Sequence, residues 1–157
     1  MSEGLDYSEI RALLPHGPPI VLVDRIQSLV PGQSIVGIKA ISACEPCYAN
    51  VARGLSLSHY AYPSSLLLES FGQTAAILWL YSERLRGTGH AGVLMFAIAR
   101  NCVVEGSALP GDVIRHEARL DSIVGDNVFV SGASWVAKRR IASIESMAAV
   151  IRPQTTI

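Results

Sequence analysis

The longest apolar pattern in the chain runs Leu66-Leu67-Leu68-Glu69-Ser70-Phe71-Gly72-Gln73-Thr74-Ala75-Ala76-Ile77-Leu78-Trp79-Leu80-Tyr81. It is apolar nearly all the way round, the signature of a helix enclosed by the rest of a fold. Pro63 suits a first helical position, and Ser64 and Ser65 can cap the free amides of the first turn. Glu83, Arg84 and Arg86, with Gly87 beyond them, read as an exposed, basic end. The spacing predicts a helix over 64–84, about 30 Å long. One carboxylate, Glu69, and one amide, Gln73, interrupt its middle, and at that spacing they share a face. A carboxylate buried without a nearby cation is costly, so Glu69 is paired, protonated or useful.

Elsewhere the pattern is shorter in period. Residues 7–14 carry helical spacing at Ile10, Leu13 and Leu14 and stop before Pro15. Pro15-His16-Gly17-Pro18-Pro19 fits neither a helix nor a central strand and reads as a stiff turn. Residues 20–30 and 34–42 read as two strands of a hairpin around Pro31-Gly32-Gln33. From Ala43 to Tyr62 no period is sustained, and a loop of this length in a compact domain often lines a site or an interface. The remainder reads as strands over 92–104, 113–124, 128–137 and 141–151. In the second of these Ile114, His116, Ala118 and Leu120 alternate with Arg115, Glu117, Arg119 and Asp121, which gives one wet face. One long apolar helix with about six antiparallel strands predicts an α+β architecture, a single curved sheet wrapped around the helix. With no repeat and no linker, 1–157 reads as one domain with its core over about 13–152. Such a sheet leaves edges open, so a dimer is the natural expectation.

Composition narrows the function classes. Of 157 residues 50% are hydrophobic and 17% charged, and the formal net charge is zero. That balance gives no electrostatic reason to expect nucleic acid or an anionic membrane surface as partner. The polar start, the odd count of cysteines (Cys44, Cys47, Cys102) and the interruption of the apolar helix by Glu69 and Gln73 lead to an expected cytoplasmic location without a membrane span. Cys44 and Cys47 form a C-x-x-C, but no second pair completes a zinc site, so no metal is expected.

Several separated pieces resemble one family. Leu13-Leu14-Pro15-His16-Gly17-Pro18-Pro19-Ile20-Val21-Leu22-Val23-Asp24-Arg25 is similar to the L-P-H-R-x-P-F-L-L-V-D-R opening of the β-hydroxyacyl-acyl-carrier-protein dehydratases of the FabZ type. Cys44-Glu45-Pro46-Cys47-Tyr48 looks like their N-E-P-F-F, residues 63–73 like their P-G-V-L-I-I-E-A-M-A-Q, and Leu109-Pro110-Gly111-Asp112 like their V-P-G-D. The matches keep their order over most of the chain.

The resemblance implies a hotdog fold, working as a dimer of itself or with a homologous hotdog subunit, with active sites between protomers. It implies a substrate carried on the phosphopantetheine of acyl carrier protein, and no further cofactor. The implied reaction removes water from a 3-hydroxyacyl thioester to give the trans-2-enoyl thioester, in fatty acid or type II polyketide-like chain building. In such enzymes a histidine takes the proton α to the carbonyl, and an acid on the central helix of the other protomer helps the hydroxyl leave. Amides at that helix's N-terminus polarise the thioester oxygen, so Pro63, Ser64, Ser65 and Gln73 are the implied substrate-binding positions.

Glu69 matches the family's acid, and burial in apolar surroundings would favour its protonated, donating form. The family's histidine has no counterpart in register: counting from Glu45 lands on Val51, and counting back from Pro63 lands on Leu55. The candidate base is His59, in Ser58-His59-Tyr60, which can be read as a relic of the family's G-H-F. His16 matches a family position that reads as structural, His90 reads as solvated, and His116 as a satisfied core histidine held in reserve as a base. Two alternatives stay open: an incomplete subunit whose homologous partner supplies the histidine, and a thioesterase on the same fold.

Overall fold

The computed structural model describes residues 3–87 and 92–153, and His90 lies outside them. In chain order the elements are β1 (Glu3–Leu5), α1 (Tyr7–Leu13), β2 (Arg25–Val30), β3 (Ser34–Ala40), α2 (Ser64–Arg86), β4 (Gly92–Val104), β5 (Val113–Val124), β6 (Asn127–Val136) and β7 (Arg139–Pro153). The strands form one antiparallel sheet in the order β1-β2-β3-β5-β6-β7-β4. The long helix packs chiefly against β3 and β5. No helix among the described residues is long and apolar enough to cross a membrane.

Helix α2 forms where the apolar run predicts it, and every residue from Ser70 to Trp79 is buried. Its close seat on the sheet depends on Gly37 of β3. A Cβ added there would lie 2.6 Å from Thr74 Oγ1 and 2.7 Å from Thr74 Cγ2. Overpacking of this kind typically costs about 1–3 kcal/mol. Gly37→Val is therefore expected to lower stability by about 2 kcal/mol, read as a shift of the urea midpoint at unchanged slope. A midpoint equal to that of the wild type would show that the helix does not need this close approach.

The helix ends differ from expectation. Pro63 is the cap rather than the first helical residue, no side chain caps the first turn, and Ser64 and Ser65 are exposed. The C-terminus closes at Gly87, whose φ of 68° is the left-handed conformation that glycine adopts without penalty. Glu83, assigned to an exposed end, is buried and accepts from Arg86 Nη1 at 3.0 Å.

Two differences at the start of the chain have local causes. β2 begins at Arg25 rather than at Ile20, because Leu22 N–H and Ile20 C=O bond the side chain of Gln73 instead of a neighbouring strand. β1, absent from the sequence-based expectation, pairs only briefly with β2 (Glu3↔Leu29, Leu5↔Ile26) before α1 starts. Asp6 and Glu9 form a capping box there, Asp6 Oδ1 accepting from Glu9 N at 3.0 Å and Asp6 N donating to Glu9 Oε2 at 2.8 Å.

The far edge of the sheet is the longest exposed one. β4 pairs with β7 alone among the described strands, and Met95, Ile98, Val103 and Val104 on it are exposed. A long edge carrying apolar side chains is a template for another strand.

Candidate active site

Glu69 sits on the second turn of α2, at a cleft of about 540 Å³. One wall comes from the end of α1 and the turn after it, through Leu13, Leu14 and His16. The floor is Glu69, Ala76 and Leu80 of α2, and the remaining wall is Met95 and Phe96 of the edge strand β4. The Glu69 side chain is 34% exposed, so the carboxylate opens onto this cleft and is not sealed in the core as the apolar run predicts.

The carboxylate is held from beneath. Gln73 Nε2 donates to Glu69 Oε1 at 2.9 Å and to Ile20 O at 2.7 Å, while Gln73 Oε1 accepts from Leu22 N at 2.8 Å. Gln73 is fully buried. Its amide links the turn to the helix and anchors Glu69, so it acts from below the cleft and not as a lining contact.

His16 stands beside Glu69, which its place in a proline-rich turn did not foretell. Its Nε2 stands 3.5 Å from Glu69 Oε1 on the cleft wall. The turn Pro15–Pro19 carries it there, and Arg11 Nη1 of α1 donates to the His16 carbonyl. The available signal was the P-H-G-P-P turn itself: a turn that rigid fixes whatever side chain it carries.

His59 lies on an exposed 3-10 turn, Leu57–Tyr60, and its Nδ1 shares a hydrogen bond with Ser56 Oγ at 3.0 Å. Neither His59 nor Pro63, Ser64 and Ser65 lines the cleft of its own chain. The long loop that carries His59 is tied down at its start by Glu45, which pairs with the buried Lys39 ammonium.

His116, the reserve base, is fully buried under α2. Its Nε2 meets Ser70 Oγ at 2.6 Å and its Nδ1 meets Ser134 Oγ at 2.8 Å, while Ser70 Oγ donates to Leu67 O. One ring proton satisfies this set: Nε2–H donates to Ser70, and Ser134 donates to Nδ1. Burial pushes the His116 pKa from 6.5 down to about 3, which keeps the ring neutral near pH 7. The unfolded chain, by contrast, binds a proton near pH 6.5. Stability from this residue is present above that pH and is lost as pH falls toward about 3. The expected loss is about 1.4 kcal/mol per pH unit in that window, and His116→Asn should flatten it. An equally steep acid limb in the variant would assign acid sensitivity elsewhere.

No group of three or more His, Cys, Asp or Glu that could hold a metal occurs among the described residues, and Cys44, Cys47 and Cys102 are free thiols.

Known proteins share both the sequence and the fold. No family model matches the chain. It is 31% identical over 146 residues to the 3-hydroxyacyl-acyl-carrier-protein dehydratase FabZ of Pelotomaculum thermopropionicum, covering 93% of this chain and 99% of that one. It is 35% identical over 116 residues to the FabZ dehydratase of Geobacillus thermodenitrificans, covering 74% of each. Among solved structures it superposes on the dehydratase heterocomplex ApeI:P from Xenorhabdus doucetiae with a TM-score of 0.77 at 12% identity, covering 92% of this chain and 91% of that one. A hot-dog-like protein from Thermanaerovibrio acidaminovorans follows with a TM-score of 0.60 at 15% identity, covering 80% and 85%. The structural likenesses establish the hotdog fold. The sequence likeness, sustained along nearly the whole of the first relative, establishes the family: the chain belongs to the FabZ family of 3-hydroxyacyl-acyl-carrier-protein dehydratases.

Proposed function

We propose that this chain removes water from a 3-hydroxyacyl thioester carried on acyl carrier protein, with Glu69 delivering the proton to the departing hydroxyl. The observation that carries this reading is the position of Glu69: an anchored carboxyl group on the floor of a largely apolar cleft. A base takes the α-proton, its electron pair forms the double bond, the β C–O bond breaks, and the oxygen leaves as water with the proton from Glu69. The base then holds one proton and Glu69 has lost one, so transfer between them or through water restores both. The amides of the first turn of α2, which no side chain caps, favour the thioester oxygen as it gains negative charge.

The working unit in this reading is a dimer built along β4. Met95 and Phe96 of that edge strand form one wall of the cleft, so a second chain paired there completes the site. His59 of the second copy, or a histidine of a homologous subunit, is then the base. The exposure of His59 and its absence from the cleft of its own chain favour a site assembled from two chains.

A mixing assay tests both. The purified chain is incubated with 3-hydroxyacyl carrier protein, alone and with a second, homologous hotdog subunit, and the acyl group is weighed by mass spectrometry. Loss of one water by the chain alone, abolished by His59→Ala, supports the homodimer. Activity only on mixing supports the incomplete subunit. Free carrier thiol without enoyl product would replace both readings with thioester hydrolysis.

A further inference from the structure

We propose that His16 is the positioning residue for Glu69, fixing Oε1 so that Oε2 is the oxygen that reacts. This rests on the dehydratase reading for its consequence but on local geometry for its content. Two nitrogens converge on Oε1: Gln73 Nε2 at 2.9 Å and His16 Nε2 at 3.5 Å. Among the described residues no protein donor bonds Oε2. The His16 contact is at ion-pair range, longer than a hydrogen bond.

The tautomer follows from the other ring nitrogen. His16 Nδ1 is buried with no hydrogen-bond partner among the described residues. An N–H buried there would be an orphaned donor, the rarer and costlier kind of unsatisfied group. A ring that carries one proton therefore holds it on Nε2, the nitrogen nearest Glu69 Oε1. In this form His16 lacks a lone pair on the cleft side, so it is a donor and not the base. Its backbone is held independently by Arg11, and the surrounding prolines restrict the turn. His16 and Gln73 thus fix the carboxyl group from two directions, one from the wall and one from the floor. That arrangement is built entirely within one chain, whichever chain supplies the base.

Substitution and spectroscopy of the full-length protein test this together. His16→Ala is expected to lower kcat on 3-hydroxyacyl carrier protein about 100-fold, the scale of a misplaced reacting group, with KM unchanged. His16→Gln, whose amide nitrogen falls near the site of Nε2, should restore most of that loss. Nitrogen NMR of the wild-type imidazole should show the Nε2–H tautomer, with a resonance that moves in Glu69→Gln. Wild-type kcat in a folded His16→Ala would overturn the proposal. So would a folded His16→Gln as inactive as His16→Ala, since that would make the imidazole a proton carrier. An Nδ1–H tautomer would overturn it without reference to activity. If the wild type shows no dehydration, the functional reading fails while the NMR result still decides the role of His16.

Discussion

Glu69→Gln is expected to abolish enoyl formation while leaving the fold intact. The substitution keeps the side chain's size and an oxygen able to accept from Gln73, so the anchoring bond survives. What it removes is the exchangeable carboxyl proton. General acid catalysis by one positioned group contributes about 10²–10⁴-fold, and the loss in kcat should fall in that range. Because the side chain is 34% exposed, the cost to stability should stay within about 0.5 kcal/mol, as for most substitutions outside a packed core. Steady-state rates together with a denaturant melt read both numbers. A Glu69→Gln protein that retains wild-type turnover would remove Glu69 from the chemistry; one that fails to fold would make its role structural.

The second large effect belongs to Gln73, where fold and site meet in one side chain. Gln73→Leu keeps the volume and removes three hydrogen bonds at a fully buried position. Leu22 N–H and Ile20 C=O are then left without their side-chain partner, at about 1–3 kcal/mol for each group. We expect a stability loss of about 2–6 kcal/mol in total, with a drop in turnover as Glu69 loses its anchor. Gln73→Glu serves as the contrast, since a carboxylate still accepts from Leu22 N–H but cannot donate to Ile20 O or to Glu69. If Gln73→Leu is as stable as the wild type, the turn from Ile20 to Leu22 is held by packing alone. A selective loss of activity in a stable variant would instead give Gln73 a role confined to the site.

These two neighbours on α2 show how far the sequence could be read. A long, mostly apolar run whose one carboxylate and one amide are Glu69 and Gln73 is a strong signal, because little besides function or a hydrogen-bond set keeps such groups there. The helix, the hairpin and the antiparallel succession after it were legible for the same reason: their periods extend over many residues. What was not legible depended on contacts between distant segments. The stretch from Ile20 to Asp24 is apolar enough for a strand, but Gln73, fifty-one residues beyond Leu22, takes the backbone groups that a ladder would use. β1 has only three residues and no period to detect, and the capping pair Asp6 and Glu9 at the start of α1 went unused.

The site shows the same limit more sharply. His16 looked like part of a turn, and it is one, but only the packing of that turn against α2 reveals its ring beside Glu69. His59 looked like a catalytic relic because of its neighbours in sequence, yet within its own chain it is an exposed residue of a short turn. Glu69 looked enclosed because the run around it is mostly apolar, whereas the cleft opens over the face that carries it. Periodicity reports which face of an element is apolar. It does not report where the covering layer stops.

The central claim, that Glu69 moves the proton of the β-oxygen, has a direct test in the reverse reaction. The protein is incubated with enoyl carrier substrate in water enriched in heavy oxygen, and label in the 3-hydroxyl group is followed by mass spectrometry. The wild-type assembly should incorporate label, and Glu69→Gln in the same assembly should do so about 10²–10⁴-fold more slowly. Equal rates of incorporation in the two would contradict the account.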